Sequence, residues 1–308
     1  MTLTQLKYTL AIAEEGNFTQ AAEKCFVTQP TLSMQVQKLE EELDIELFNR
    51  KAKPITLTAV GEKIIAQAKV ILEEAKRMSD VVATERGVVE GRFRIGIIPT
   101  VMPTLLPLFL NTFIKKFPKV NLKIEELNTA SILDELSAGK LDAGIAATPL
   151  DHPQLIEKPL YYEPFVGYTP KFHPLSSMKK LVVEDLEKMD ILVLEDGHCF
   201  REHVLNLCQR TRKSKSFDLK SGSFETLIRL ANEGMGMTLL PYLQTRGLSE
   251  KDKKNLKYFE SPEPAREISM IYSKNLLKIP IIEALSDTIE GVLRGAIQFE
   301  NIKVITPK

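Results

Sequence analysis

Residues 18–50, FTQAAEKCFVTQPTLSMQVQKLEEELDIELFNR, hold two helical patterns with only a few residues between them. Ala21 and Ala22 are small enough to let helices approach closely. Thr28 stands where an N-cap is needed, and Pro30 falls in the first turn of the second pattern, where its missing N–H costs nothing. A short turn leading into a helix that opens with polar side chains has the form of a helix-turn-helix, whose second helix enters the DNA major groove. A generic three-helix unit shares this local pattern, so the residues alone leave both open.

Working outward, Leu3, Leu6, Leu10 and Ala13 recur at helical spacing upstream, and Gly16 ends the run. Downstream, KAKPITLTAVG (51–61) carries a β-prone run after a proline, which suits a small wing. A long helix is expected from Ala59 to Arg86, with Ile64, Ala68, Ile71, Leu72, Ala75, Met78 and Val82 as its apolar stripe. Nothing adjacent in sequence covers that stripe, which marks a dimerisation helix; packing on its own domain is the alternative. Gly87 and Gly91 suit a linker.

From Arg92 the pattern changes to strands alternating with helices. RFRIGII (92–98), a helix from Pro103 to Phe117, NLKIEEL (121–127), a helix near Ile132 to Leu136, and LDAGIAA (141–147) form a first unit. After the extended LIEKPLYYEPFVGYTP (155–170), a second unit has strand ILVLE (191–195), a helix from His198, strand SFDLKSG (216–222), helix SFETLIRLANEG (223–234) and strand MGMTLLP (235–241). REISMIYS (266–273) and a closing helix, 279–295, complete the pattern. Two α/β lobes are expected, crossing over near Tyr162 to Phe165 and Pro264 to Ile268, with a cleft at the strand C-terminal ends.

The chain has 308 residues, 44% of them hydrophobic, which excludes a mostly disordered protein. Its start lacks the features of a signal peptide, and no run reaches the length of a membrane span, so a cytoplasmic protein is expected. The balance of 41 basic against 41 acidic side chains gives no global sign of nucleic-acid binding, and residues 1–60 are slightly acidic, so any such site must be local.

Three cysteines form no secreted disulfide framework, and their spacing matches no structural zinc site, so neither a metal nor a cofactor is expected. Cys25, between apolar neighbours, reads as a packing residue. Cys199 reads differently: with Asp196 as N-cap it falls in a first helical turn, beside His198 and Arg201, surroundings that lower a thiol's pKa. A buried, inert cysteine is the alternative. If the helix continues through Cys208, about 13 Å of rise and half a turn separate the two cysteines. A disulfide needs Cα atoms within about 7 Å, so the pair could join only if the helix unwinds.

Ala21, Ala22, Thr28, Gln29, Pro30, Thr31, Leu32, Ser33, Leu39, Glu40, Leu47, Phe48, Arg50, Thr58 and Gly61 closely resemble the N-terminal signature of LysR-type transcriptional regulators. The resemblance implies a winged helix-turn-helix (1–58), a linker and dimerisation helix with hinge (59–91), and a two-lobed α/β regulatory domain of periplasmic-binding-protein type (92–308). Lobe I would comprise 92–162 and 268–308, and lobe II 163–267. It implies that Gln29, Pro30 and Ser33 approach bases of double-stranded DNA, that Thr28, Thr31, Gln35 and Lys38 position the phosphate backbone, and that Arg50, Lys51 and Lys53 lie on the wing. Acidic residues 40 to 46 would face away. Met34 departs from the pattern, since many relatives carry a polar or basic residue there.

The regulatory half resembles a peroxide-sensing branch of the same family, through RIGIIPTV with Thr100, ELNTASIL with Thr129, LEDGHC with His198 and Cys199, then Cys208, and EPAREI with Arg266. This implies hydrogen peroxide held beside Cys199 by Thr100, Thr129, His198 and Arg266, then a reversible Cys199–Cys208 disulfide that refolds the regulatory domain. It further implies a homotetramer built as a dimer of dimers, recruitment of RNA polymerase at antioxidant defence genes, and reduction by a glutaredoxin or thioredoxin system. A LysR-type regulator answering a small metabolite is the alternative. A thiol peroxidase would not need the helix-turn-helix, and a solute-binding protein would lack the first ninety residues.

Overall fold

The computed structural model describes residues 1–52, 54–85, 89–187, 189–207, 221–295, 297 and 302–306, without the side chains of 73, 76, 77, 79–85 and 302. Lys53, Cys208 and most of the expected strand 216–222 lie outside these residues, as does the side chain of Val82. The chain divides into two compact units, Met1–Arg86 and Gly87–Lys308.

In the first unit, α1 (Leu3–Glu15) opens with a capping box. Thr2 Oγ1 accepts from the Gln5 amide, and the Gln5 side chain accepts from the Thr2 amide at 2.7 Å. The helix ends at Gly16, whose φ of 61° suits a residue without Cβ. Its buried face runs through Gln5, Leu6, Thr9 and Ile12, not along the expected Leu3–Leu6–Leu10–Ala13 stripe, and Leu3 stays 46% exposed. Two polar residues take core positions because they are satisfied locally; Thr9 donates to the Gln5 carbonyl at 2.8 Å.

Asn17 caps α2 (Phe18–Lys24) through bonds from the Thr19 and Gln20 amides, and α3 (Gln29–Leu43) follows after a four-residue turn. Ala21 and Ala22 are buried where α2 meets the Leu32, Val36 and Leu39 face of α3. Thr28 is the N-cap residue of α3, yet its hydroxyl pairs with Thr31 at 2.8 Å instead of capping a backbone amide. The wing is a two-residue ladder, β1 (Phe48–Asn49) with β2 (Thr56–Leu57).

The long helix α4 (Ala59–Glu85) begins immediately after the wing. Ile65 and Ala68 are buried, and Ile64, Ala68, Ile71 and Leu72 pack on the helix-turn-helix core. The first half of the expected dimerisation stripe therefore covers its own domain, because α1 folds back against α4 from a distance in sequence. Met78, farther along, is 73% exposed.

The second unit is built on a ten-stranded sheet. Its first part is β3 (Gly91–Ile97), α5 (Met102–Lys116), β4 (Val120–Glu126), α6 (Thr129–Ser137) and β5 (Ala143–Thr148), with β3 pairing in parallel with both β4 and β5. Next comes β6 (Leu155–Tyr168), then the short β7 (Lys180–Leu181) and β8 (Ile191–Leu192). These are followed by α7 (Cys199–Leu207), α8 (Phe224–Asn232), β9 (Met237–Pro241), α9 (Tyr242–Arg246), α10 (Glu250–Lys253) and β10 (Leu256–Phe259). The unit closes with β11 (Glu263–Ser273), α11 (Ile279–Leu293) and β12 (Ile302–Val304).

The long strands β6 and β11 run antiparallel to each other, with an irregularity between Ile268 and Ser269. They pass between two apolar cores. One gathers the β3–β5 elements with α5, α6 and α11; the other gathers α7, α8, β9 and the far end of β6. Residues 193–195 do not continue β8 as the ILVLE pattern suggested, because the chain turns there toward α7 and Glu195 instead donates its amide to the Ser221 carbonyl. Among the described residues, no helix is long and apolar enough to cross a membrane.

Candidate functional site

Four segments distant in sequence converge where the two cores of the second unit meet. Thr100 lies in the turn between β3 and α5, and Thr129 is the first residue of α6, whose N-cap Asn128 accepts from the Ser131 amide at 2.8 Å. Cys199 is the first residue of α7, and Arg266 is on β11. Ile98, Pro99, Thr100, Asn128, Thr129, Gly197, His198 and Cys199 line one small crevice. Both threonines thus follow strand C-termini at a cleft.

Cys199 packs against the first core, while Phe200, Val204 and Leu207 of the same helix are buried in the second. The cysteine keeps some accessible surface, but its sulfur lies deep enough that burial is the largest influence and pushes the thiol up. Opposing this are the Arg266 charge, then the Thr129 side chain, then backbone hydrogen bonds with Phe200 and Ala147. The Thr129 hydroxyl is buried without a well-formed hydrogen bond.

The sequence placed His198 and Arg201 beside the thiol and Asp196 as N-cap; the structure corrects the roles of Arg201 and Asp196. Arg201 turns back on the preceding loop, its Nε 2.9 Å from Asp196 Oδ1 and its Nη1 donating to the Leu194 carbonyl at 2.9 Å. Asp196 stands three residues before α7 and serves this pair. His198 lines the crevice with Nε2 3.9 Å from Glu195 Oε1, and a Cβ on Gly222 would come within 2.8 Å of that nitrogen. His203 is fully buried, and its Nδ1 donates to the Cys199 carbonyl at 2.7 Å. Burial, then the Arg266 charge, lowers its pKa to about 4, so at neutral pH it adds no positive charge.

Arg266 is itself buried and makes four hydrogen bonds. Nη1 donates to Thr100 Oγ1 at 2.9 Å and Nη2 to the Thr100 carbonyl at 3.1 Å, while Nε and Nη2 donate to Glu163 Oε2 at 3.0 and 2.8 Å. The other oxygen of Glu163 accepts from the Leu243 amide at 2.9 Å. The guanidinium carbon sits 5.1 Å from the Phe200 ring centroid, so α7 rests on Arg266 through an aromatic face. Since Thr100 Oγ1 accepts from Arg266, its own hydrogen is left to donate elsewhere. Glu163 escaped the sequence reading, although a carboxylate within the otherwise buried EPFVGY end of β6 was a usable signal.

In the first unit, Thr28, Gln29, Pro30, Thr31 and Lys38 are exposed, and Ser33 and Gln35 are half-buried. Lys51 is exposed near the wing. Arg50 is occupied: it pairs with Glu40 at 2.6 Å and lies over Phe18 at 5.4 Å. Glu40 does not simply face away from DNA; it is buried and also accepts from the Leu47 amide at 2.8 Å. Thr58 and Gly61 have structural work: Thr58 Oγ1 donates to the Glu46 carbonyl and accepts from the Gly61 amide, and a Cβ on Gly61 would stand 2.2 Å from the Leu47 carbonyl oxygen. Cys25 is partly buried in the same core, and burial pushes its thiol up.

Residues 3–62 match the family model described as bacterial regulatory helix-turn-helix protein, lysR family, and residues 86–294 match that described as LysR substrate binding domain. The chain belongs to the LysR family of transcriptional regulators, which are DNA-binding proteins and not enzymes. Within that family it is similar along nearly its whole length to OxyR. The DNA-binding transcriptional dual regulator OxyR of Escherichia coli (strain K12) is 33% identical over 297 residues, covering 96% of this chain and 97% of that one. A hydrogen peroxide-inducible genes activator of Pectobacterium carotovorum subsp. carotovorum is 33% identical over 295 residues, covering 96% and 98%. Among solved structures, a full-length OxyR mutant of Pseudomonas aeruginosa matches with a TM-score of 0.70 at 34% identity, covering 94% and 98%. A hydrogen peroxide-bound OxyR mutant of Corynebacterium glutamicum matches at 0.65 and 28%, covering 96% and 93%.

Proposed function

We propose that the protein is a hydrogen peroxide-responsive activator in which Cys199 is the sensor. The supporting observation is the placement of this thiol at the head of α7, in a crevice shared with Thr100, Thr129 and His198 and backed by the Arg266 charge. The names of the relatives point the same way. The thiolate attacks one peroxide oxygen and the O–O bond breaks. Sulfur takes up the hydroxyl as sulfenic acid, and the second oxygen leaves as hydroxide and is protonated to water. Thr100, Thr129 and His198 hold the peroxide, and Arg266 favours the thiolate.

Cys208 then displaces the sulfenic hydroxyl as water, giving a disulfide. With Cys199–Leu207 helical, eight steps of rise set those two Cα atoms about 12 Å apart. One peptide step of about 3.8 Å beyond Leu207 still leaves Cys208 more than about 8 Å from Cys199, outside the reach of about 7 Å. Pairing therefore requires α7 to unwind. Exposing Phe200, Val204 and Leu207 costs roughly 1.5–3 kcal/mol each, against about 3 kcal/mol gained from closing the short loop. A bond formed on those terms is readily reduced and coupled to refolding, as a switch requires.

In this reading residues 1–58 bind double-stranded DNA, 59–91 link and dimerise, and 92–308 sense. Gln29, Pro30 and Ser33 face bases; Thr28, Thr31, Gln35, Lys38, Arg50, Lys51 and Lys53 serve the phosphate backbone and the wing. The protein works in the cytoplasm as a dimer of dimers, recruits RNA polymerase, and is reset by a glutaredoxin or thioredoxin system. Disulfide mapping after a brief, low dose of peroxide tests the scheme. A Cys199–Cys208 bridge is expected in the wild type. Sulfenic acid without the bridge is expected in Cys208→Ser, and neither in Cys199→Ser, which keeps DNA binding. A Cys199→Ser protein still activated by peroxide, or a bridge to Cys25, would sink it.

A further inference from the structure

The helix-turn-helix unit places two large apolar side chains in solvent beside its polar recognition residues. Phe26, in the turn between α2 and α3, is 96% exposed, and its φ of 56° is a conformation that costs a residue other than glycine energy. Met34 is 50% exposed, on the side of α3 opposite the buried Leu32, Val36 and Leu39, and follows Pro30 and precedes Lys38 at four-residue spacing. Neither side chain contributes to the core of the unit. Two of the cations nearby are already paired: Lys24 is bonded to Glu14 and Glu15 at 3.0 and 2.6 Å, and Arg50 to Glu40. Lys38 and Lys51 stay exposed for the phosphate backbone, and reading the bases draws on other contacts.

We propose that Met34 and Phe26 are apolar DNA contacts, and that the base they select is thymine, through its C5 methyl group in the major groove. That methyl is the one apolar feature among the base edges, and the thioether of methionine adapts its shape to cover it. The inference rests on α3 being the helix that enters the groove. One methyl buried between protein and base contributes about 0.8 kcal/mol, close to a fourfold change in affinity. The left-handed backbone of Phe26 closes α2, with the Val27 amide donating to the Ala22 carbonyl at 3.0 Å and the Phe26 amide to the Glu23 carbonyl at 3.1 Å. Exposure of the ring has no return within the unit and acquires one when DNA covers it.

The test uses full-length reduced protein to select sites from random duplex DNA. Each thymine of the selected site is then replaced by deoxyuridine, which removes only the methyl. Kd is measured for wild type, Met34→Ala, Phe26→Asn and Gln29→Ala. Replacement at one thymine should weaken the wild type about fourfold and leave Met34→Ala unaffected, and a second thymine should behave likewise with Phe26→Asn. Phe26→Asn should melt no lower than wild type, since asparagine accepts the left-handed backbone, so its loss of affinity is not a loss of fold. The proposal is overturned if both variants keep the wild-type deoxyuridine profile. It is equally overturned if the variants alter oligomeric state and not that profile, which would assign the two side chains to a protein partner. If Gln29→Ala also keeps the wild-type base preference, the assignment of α3 has failed as well.

Discussion

Two nitrogens of Arg266 converge on a single carboxylate oxygen of Glu163, at 3.0 and 2.8 Å, and both side chains are buried. The charge that favours the Cys199 thiolate is therefore partly balanced from behind. Glu163→Gln should unmask it and move the pH dependence of Cys199 alkylation to lower pH. Leaving a buried charge without its partner should also cost about 3–5 kcal/mol of stability, read from denaturant melts. An alkylation profile that stays in place or moves upward would show that Glu163 does not restrain Arg266.

His203 makes stability depend on pH in a defined window. In the folded protein its pKa is lowered to about 4, and unfolding restores it to about 6.5. Above that value the ring is neutral in both states and contributes nothing. As pH falls from about 6.5 toward 4, only the unfolded chain takes the proton, so stability drops by up to about 1.4 kcal/mol per unit. Urea midpoints at pH 7, 6 and 5 should decline more steeply for wild type than for His203→Gln. Equal slopes would exclude the effect.

Gly61→Ala tests the joint between wing and long helix. The added Cβ would lie 2.2 Å from a backbone oxygen, which cannot rotate away as a side chain can. A loss of about 3 kcal/mol, the upper end of the usual overpacking cost, is expected, together with weakened DNA binding. An unchanged melting temperature would mean that the joint yields without cost.

The helix-turn-helix was legible because its determinants are local: Gly16, Ala21 and Ala22, and Pro30 act within a turn or two of their own positions. The same locality misled at α1, where Leu3 fits the period but Gln5 and Thr9 hold core positions through contacts the period cannot express. At the candidate site, Cys199 stood out by its place in a first helical turn, while the threonines and Arg266 were reached by resemblance. The physical setting was not, since Arg266 and Glu163 are 103 residues apart in sequence and meet only through the β6–β11 pairing. Arg201 shows the converse: a neighbour in sequence that turns away in space. The short elements between 174 and 186 and between 242 and 259, and the β12 ladder, carried no periodic signal because each is only two to five residues long.

The anchoring of α4 through Thr58 and Gly61 has a mechanical consequence. Its 27 residues span about 40 Å; the part through Leu72 is held against the helix-turn-helix core, and the rest, beyond Leu72, makes an arm about 20 Å long. A shift of 1.5 Å at the far end, the rise of one residue, reaches α3 as a rotation of only about 4°. The arm is a reducing gear, and α3 turns appreciably only when the displacement at its far end is large.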